Sequence, residues 1–92
     1  MYNLSDRLQA IADMVIAGEP VADIGSDHAY LPLFLVENNV VPWAIAGELG
    51  DGPYKRALQA LSRSAMQERI ELRQGDGLQV LAFAEVSTVI IA

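Results

Sequence analysis

Three short polar clusters interrupt this sequence, and each follows a stretch with the length and pattern of a β-strand. The first two stretches are mainly apolar, and the third alternates apolar and charged residues. The first cluster surrounds Gly25, the second ends at Glu48, and the third is centred on Asp76. Carboxylates accept hydrogen bonds from hydroxyl and amino groups, and glycines let a ligand approach the backbone closely. The sequence therefore predicts a site for a small polar ligand, assembled from three separate turns.

The first cluster stands between a predicted strand and a predicted helix, an arrangement that often cradles anions and nucleotides. A dinucleotide-binding loop carries three spaced glycines, whereas the corresponding positions here are Gly25, Asp27 and Tyr30. Because an acidic residue in this loop would repel a pyrophosphate, the sequence favours a cationic ligand without phosphate. The candidate binding residues of this cluster are Asp23, Gly25, Asp27 and His28.

The other two clusters complete a pattern that suits a nucleoside. Glu48 follows Gly25 by 23 residues, close to the spacing of the acid that accepts ribose hydroxyls in nucleoside-binding folds. Asp76 can accept the exocyclic amine of adenine while the backbone of Gly77 approaches the ring. Ribose, adenine and a cationic tail together are the parts of S-adenosylmethionine, so the three clusters predict this cofactor. Each turn taken alone also fits a structural role, as a helix cap, a strand-end acid or a tight turn.

Other chemistries find less support in the residues. Arg7, the only base among the first fifty residues, is a candidate for contacting the cofactor's carboxylate or a substrate phosphate, and a surface ion pair is the alternative. No metal site is predicted, because catalytic zinc sites need several histidines or further ligands and the chain has one histidine and no cysteine. No nucleophile motif surrounds Ser26, and no catalytic base is identified.

Helices and strands that alternate along the chain must position these three clusters. Apolar residues at helical spacing predict a first helix over about residues 4–16, with Asn3 and Asp6 in a capping relation. Strands are predicted over 21–24, 43–48, 70–73 and 86–91, helices over 29–37 and 53–64, and a short helix or irregular segment over 78–84. This order predicts an α/β fold in which helices flank a parallel sheet on both faces.

Composition and charge exclude several classes of protein. The chain has 92 residues, of which 52% are apolar and 20% charged, which excludes a disordered polypeptide. Its net charge of −6 lacks the basic character of a nucleic-acid-binding domain, so the chain alone should bind nucleic acid poorly. The sequence shows neither a secretory signal nor an apolar run of the ~20 residues that cross a membrane, so we expect a cytoplasmic location without a membrane partner.

The last predicted strand runs on to Ala92 without a turn signal. Natural domains seldom end inside a buried strand, so we expect residues 1–92 to be the N-terminal half of a doubly wound domain, truncated after its fourth strand. An exposed fourth strand could pair with a second copy and form a homodimer. A non-catalytic nucleoside-binding or self-assembling module is therefore the alternative function.

The motifs resemble those of the bacterial tRNA adenine-N1 methyltransferases that modify position 22 of tRNA. The most specific stretch runs from Asp23 to Pro32, and it is supported by the runs at 4–8, 44–48, 52–53 and 75–78. The resemblance covers essentially the whole chain. It implies a class I, Rossmann-like methyltransferase domain that uses S-adenosylmethionine, followed by a mainly helical C-terminal domain. A Gly-Met-Gly-Gly turn that follows a strand like 89–92 in the family is absent here.

The resemblance also implies a role for each cluster. The turn at Gly25, Asp27 and His28 would hold the methionine part of the cofactor, Glu48 the ribose, and Asp76–Gly77 the adenine. Arg7 would lie near the cofactor or the target base, and the substrate of the parent enzyme would be tRNA. A Rossmann-like domain for another adenosine ligand remains a further alternative.

Overall fold

The computed structural model describes residues 5–25, 29–77 and 85–91. In these residues, helices and strands alternate as the sequence predicts. The helices are α1 (Asp6–Asp13), α2 (Tyr30–Glu37) and α3 (Asp51–Ser62), and a short 3-10 helix covers Gln67–Arg69. The strands are β1 (Val21–Ile24), β2 (Ala44–Glu48), β3 (Ile70–Gln74) and β4 (Thr88–Ile91). No helix in the described part of the chain is long and apolar enough to cross a membrane.

The four strands form one parallel sheet in the order β3-β2-β1-β4, which confirms the predicted fold class. Val21 pairs with Ala44 on one side and with Thr88 on the other, and Ala44 pairs in turn with Ile70. Strand order reverses at β1, because the chain moves outward to β2 and β3 and then returns to the opposite side of β1. In open α/β sheets, ligands bind beyond the carboxyl ends of the strands at such a reversal.

The core lies between one face of this sheet and the three α-helices. Five of the eight residues of α2 are buried, so this helix is apolar around most of its surface. Burying one such side chain stabilises the fold by roughly 1.5–3 kcal/mol, and α2 is accordingly the main anchor of the layer. The strand residues that share this core are Val21, Ala44, Ala46, Ile70 and Ile90. The sequence predicts helices on both faces of the sheet, whereas the three α-helices that the structure describes all contribute to this one core. Residues 78–84, predicted as a short helix or irregular segment, lie outside the described residues.

Several predicted boundaries are wrong by a few residues. Helix α1 begins at Asp6, because the Ser5 hydroxyl accepts a hydrogen bond from the Leu8 amide at 3.3 Å and so replaces the predicted Asn3 cap. It ends at Asp13, three residues before the predicted end. Helix α3 begins at Asp51, which places Pro53 in its first turn, where a missing amide hydrogen loses no helical bond. Strand β4 begins at 88 instead of 86.

Candidate functional site

Parallel pairing brings the three predicted clusters to one edge of the sheet. Gly25 follows β1, Glu48 ends β2, and the turn at 75–77 follows β3. The Gly25 amide donates to the Gly47 carbonyl at 2.8 Å, and the Gly75 amide donates to the Glu48 carbonyl at 3.0 Å. These two bonds extend the sheet ladder past the strand ends, so the backbones of the three turns are fixed relative to one another.

Two carboxylates, Asp23 and Glu48, are buried on neighbouring strands of this edge. Their residues are only 4% and 5% exposed. Asp23 lies opposite Ala46 in the ladder, and Glu48 is two residues further along β2, so both side chains leave the same face of the sheet. Burial and, to a lesser degree, the charge of Glu48 raise the pKa of Asp23 from 3.8 to about 7. The total charge of the Asp23–Glu48 pair therefore changes close to neutral pH, as Asp23 loses its proton.

The backbone beside these acids adopts conformations that leave room for a ligand. Gly25 and Gly77 have φ angles of +74° and +54°, in the left-handed region that glycine adopts without strain. Among the described residues, a Cβ atom placed on either glycine would meet no atom within 4 Å. Ala29, at the start of α2, is also left-handed with φ of +58°. Such uncommon backbone in a residue with a side chain is concentrated at binding sites.

A side-chain amide joins the loop after β2 to the end of β3. Gln74 Nε2 donates to Asp51 Oδ1 at 2.6 Å and to the Leu49 carbonyl at 3.4 Å. Gln74 is also the ladder partner of Glu48. Neither Gln74 nor Asp51 is predicted as a site residue from the sequence, because neither belongs to one of the three polar clusters. Only the register between β2 and β3 brings them together.

The remaining predicted site residues are less closely grouped. Asp76 is exposed in the turn after β3, one residue from Gly77. Arg7 is exposed in the first turn of α1, and α1 packs against α2. Asp27 and His28 lie outside the described residues. In the part of the chain that the structure describes, no group of three or more His, Cys, Asp or Glu side chains could hold a metal ion.

Comparison with known protein families agrees with this geometry. Residues 4–92 match the family described as the methyltransferase domain. The chain belongs to this family. The match spans all four strands and the three turns that follow β1, β2 and β3, so the edge described above is part of a methyltransferase domain.

Individual members of the family resemble the chain closely. It is 46% identical over 89 residues to the tRNA (adenine(22)-N(1))-methyltransferase of Bacillus subtilis, over 97% of this chain and 37% of that protein. The crystal structure of the B. subtilis M1A22 tRNA methyltransferase TrmK matches with a TM-score of 0.95 at 44% identity, over 99% of this chain and 39% of that chain. Sp1610 of Streptococcus pneumoniae in complex with S-adenosyl-L-methionine matches with a TM-score of 0.92 at 40% identity, over 98% of this chain and 42% of that chain. The chain therefore spans about two fifths of the length of these relatives.

Proposed function

We propose that this chain is the cofactor-binding part of an S-adenosylmethionine-dependent methyltransferase that acts on N1 of adenine 22 in tRNA. The observation that carries the proposal is the buried carboxylate of Glu48, which ends β2 between the open backbones of Gly25 and Gly77. The 46% identity to the B. subtilis enzyme supports the substrate class.

The residues present fit this cofactor. A carboxylate accepts two hydroxyl donors at once, which matches the paired hydroxyls of a ribose. No atom of the described residues crowds Gly25 or Gly77, which favours the approach of a ligand to the peptide groups on both sides of Glu48. The first fifty residues carry seven acidic side chains and one basic side chain, a balance that favours a cationic ligand.

Each predicted residue then takes one role. Glu48 binds the ribose, Asp76–Gly77 bind the adenine, and the turn containing Gly25, Asp27 and His28 binds the methionine part. Asp23 is buried beside Glu48, and its ionisation determines how much negative charge lies next to the bound cofactor.

Bound S-adenosylmethionine supplies an electrophilic methyl group on a sulfonium. The residues of this chain contribute binding and orientation, which can supply most of the acceleration of a transfer between two bound reactants. We assign no catalytic base within the chain. Arg7 is exposed on α1 and remains our candidate for the cofactor's carboxylate or the target base.

The proposed substrate is tRNA, and it implies a cytoplasmic location. With a net charge of −6, the chain offers little attraction for a polyanion. We therefore propose that the complete polypeptide binds tRNA mainly through parts that this chain does not span. We expect the complete polypeptide to methylate a tRNA transcript with adenine at position 22 and to leave a transcript with guanine at that position unmethylated.

The ribose assignment is tested by Glu48→Ala in the complete natural polypeptide, with S-adenosylmethionine affinity measured by calorimetry. Loss of hydrogen bonds to a charged acceptor should weaken binding by about tenfold to a hundredfold. Glu68→Ala is the matched control, because Glu68 is an exposed acid in the 3-10 helix at the opposite end of β3. Unchanged affinity in the Glu48 variant would reject the assignment. A thermal-shift ranking that places NAD or ATP above S-adenosylmethionine would favour another adenosine ligand.

A second candidate function, a non-catalytic self-assembling module, is favoured by the outer side of β4. Val89 and Ile91 are 41% and 68% exposed, and β4 pairs with β1 on its inner side. A groove of about 270 Å³ between β4 and α1 adds the side chains of Ile11 and Met14 to this apolar surface. A dimer seen by light scattering, together with cofactor binding but no methyl transfer, would support this function. A strict monomer would reject the proposed homodimer.

A further inference from the structure

The link between the β2–α3 loop and β3 has a consequence for ligand binding. Glu48 stands at the end of β2, and the chain then passes through Leu49 and Gly50 into α3. Asp76 and Gly77 stand on the other side of the site, two and three residues after Gln74. The ribose and adenine groups proposed above are therefore held by two separate loops, and their affinity for one nucleoside depends on the distance between those loops.

Gln74 is placed to hold that distance. Its amide nitrogen has two hydrogens, and the structure gives each an acceptor on the opposite loop, Asp51 Oδ1 at 2.6 Å and the Leu49 carbonyl at 3.4 Å. The bond to Asp51 involves an ionised acceptor, which makes it stronger than a bond between neutral groups. On the backbone side, the Gly75 amide donates to the Glu48 carbonyl at 3.0 Å. Backbone and side chain together fasten the Glu48 loop to the Asp76 turn.

The surroundings of this link argue against a purely stabilising role. Gln74 and Asp51 are both exposed. Exposed polar pairs contribute little to folding, because water replaces their bonds in the unfolded chain. Asp51 is the first residue of α3, so the link also fixes where that helix starts relative to Glu48.

We propose that Gln74 is a positioning residue for the nucleoside part of the cofactor site, acting through Asp51 and Leu49 on the loop that carries Glu48. The inference rests on the proposed function, because it assumes that one nucleoside spans both loops. Ordering two loops before binding lowers the conformational entropy that the ligand must otherwise overcome. The bridge should therefore act on affinity for the nucleoside and leave the methyl-transfer step unchanged.

The test uses the complete natural polypeptide and three variants. Gln74→Ala removes the bridge, and Gln74→Glu places a second carboxylate beside Asp51. Gln74→Glu combined with Asp51→Asn restores a donor and an acceptor in reversed positions. Gln9→Ala is the matched control, because Gln9 Nε2 donates to Asp13 Oδ1 at 3.0 Å within one exposed helix and joins no loops.

Affinity for S-adenosylmethionine and for adenosine alone is measured by calorimetry, and stability without ligand by urea unfolding. Gln74→Ala should weaken both ligands by about threefold to tenfold, with a change in stability no larger than that of Gln9→Ala. KM for the cofactor should rise while kcat at saturating cofactor stays the same. Gln74→Glu should weaken binding further. The reversed pair should restore part of the affinity, because it rebuilds the bond between positions 74 and 51 but not the bond to the Leu49 carbonyl.

The possible failures are distinguishable. If the natural protein binds S-adenosylmethionine and Gln74→Ala binds it equally well, the positioning role is wrong and the proposed function stands. If the reversed pair binds no better than Gln74→Glu alone, the positioning role is also wrong. If the natural protein binds neither S-adenosylmethionine nor adenosine, the proposed function is wrong, and the role of Gln74 with it.

Discussion

Replacing Asp23 by asparagine should make the fold more stable at neutral pH, although it removes a charged group from the centre of the sheet. Asp23 is buried, and its pKa lies at about 7 in the folded chain against 3.8 for an ordinary aspartate. Between these two values, the folded chain keeps a proton that the unfolded chain has released. The free energy of unfolding therefore falls as the pH rises through this window.

The size of the effect follows from the two pKa values. A tenfold change in proton affinity corresponds to about 1.4 kcal/mol, so the complete ionisation of Asp23 costs about 4 kcal/mol relative to its protonated form. Asparagine has nearly the same shape and does not ionise. The stability advantage of Asp23→Asn over the natural chain should therefore grow by about 2–3 kcal/mol between pH 5 and pH 8.

Urea unfolding of both chains at several pH values measures this difference directly, because the other titrating groups are common to both. The same pair in a Glu48→Gln background separates the two causes of the raised pKa. The advantage should persist there, since burial is the larger cause, but become smaller because the charge of Glu48 is gone. A difference in stability that is the same at pH 5 and pH 8 would refute the reasoning.

Three further predictions concern local structure, each measured by urea unfolding. Gly25→Ala should lower the free energy of unfolding by about 1–2 kcal/mol, because φ at this position is +74°. The control Gly52→Ala, within α3, should not be destabilising. Equal effects of the two substitutions would contradict the left-handed turn at Gly25. Ser5→Ala should cost about 1 kcal/mol by removing the cap on the Leu8 amide, and Ser5→Asp should retain it. Arg69→Ala should lower the free energy of unfolding by about 1 kcal/mol, because its guanidinium donates to the Pro42 carbonyl at 2.9 Å and to the Val41 carbonyl at 3.4 Å. An unchanged midpoint would show that these bonds contribute nothing.

Much of the fold could be predicted because its signals are local. The apolar run 21–24 is bounded by Pro20 and Gly25, and the observed strand β1 has those limits. The start of α1 was harder to predict, because more than one residue near it is a competent cap. Asn3 and Ser5 both have suitable side chains, and only the structure shows that the Ser5 hydroxyl accepts the Leu8 amide.

Some residues of the candidate site could likewise be predicted from local sequence, and others could not. Gly25, Glu48 and Asp76 were identifiable because each ends or follows a stretch with a strand pattern, and the parallel sheet brings those ends to one edge. The bridge from Gln74 to Asp51 joins residues 23 positions apart, and nothing in either neighbourhood indicates it. Whether Asp27 and His28 share this site stays a prediction.

The sequence by itself determined the alternation of strands and helices and the polar turn that follows each of the first three strands. Those features depend on residues that are neighbours along the chain, where apolar spacing, glycine and proline act directly. Tertiary structure decided which strands are adjacent, which ladder positions face each other, and how deeply Asp23 and Glu48 are buried. The raised pKa of Asp23 belongs to this second group, because loss of water and a carboxylate on the next strand exist only after the sheet has formed.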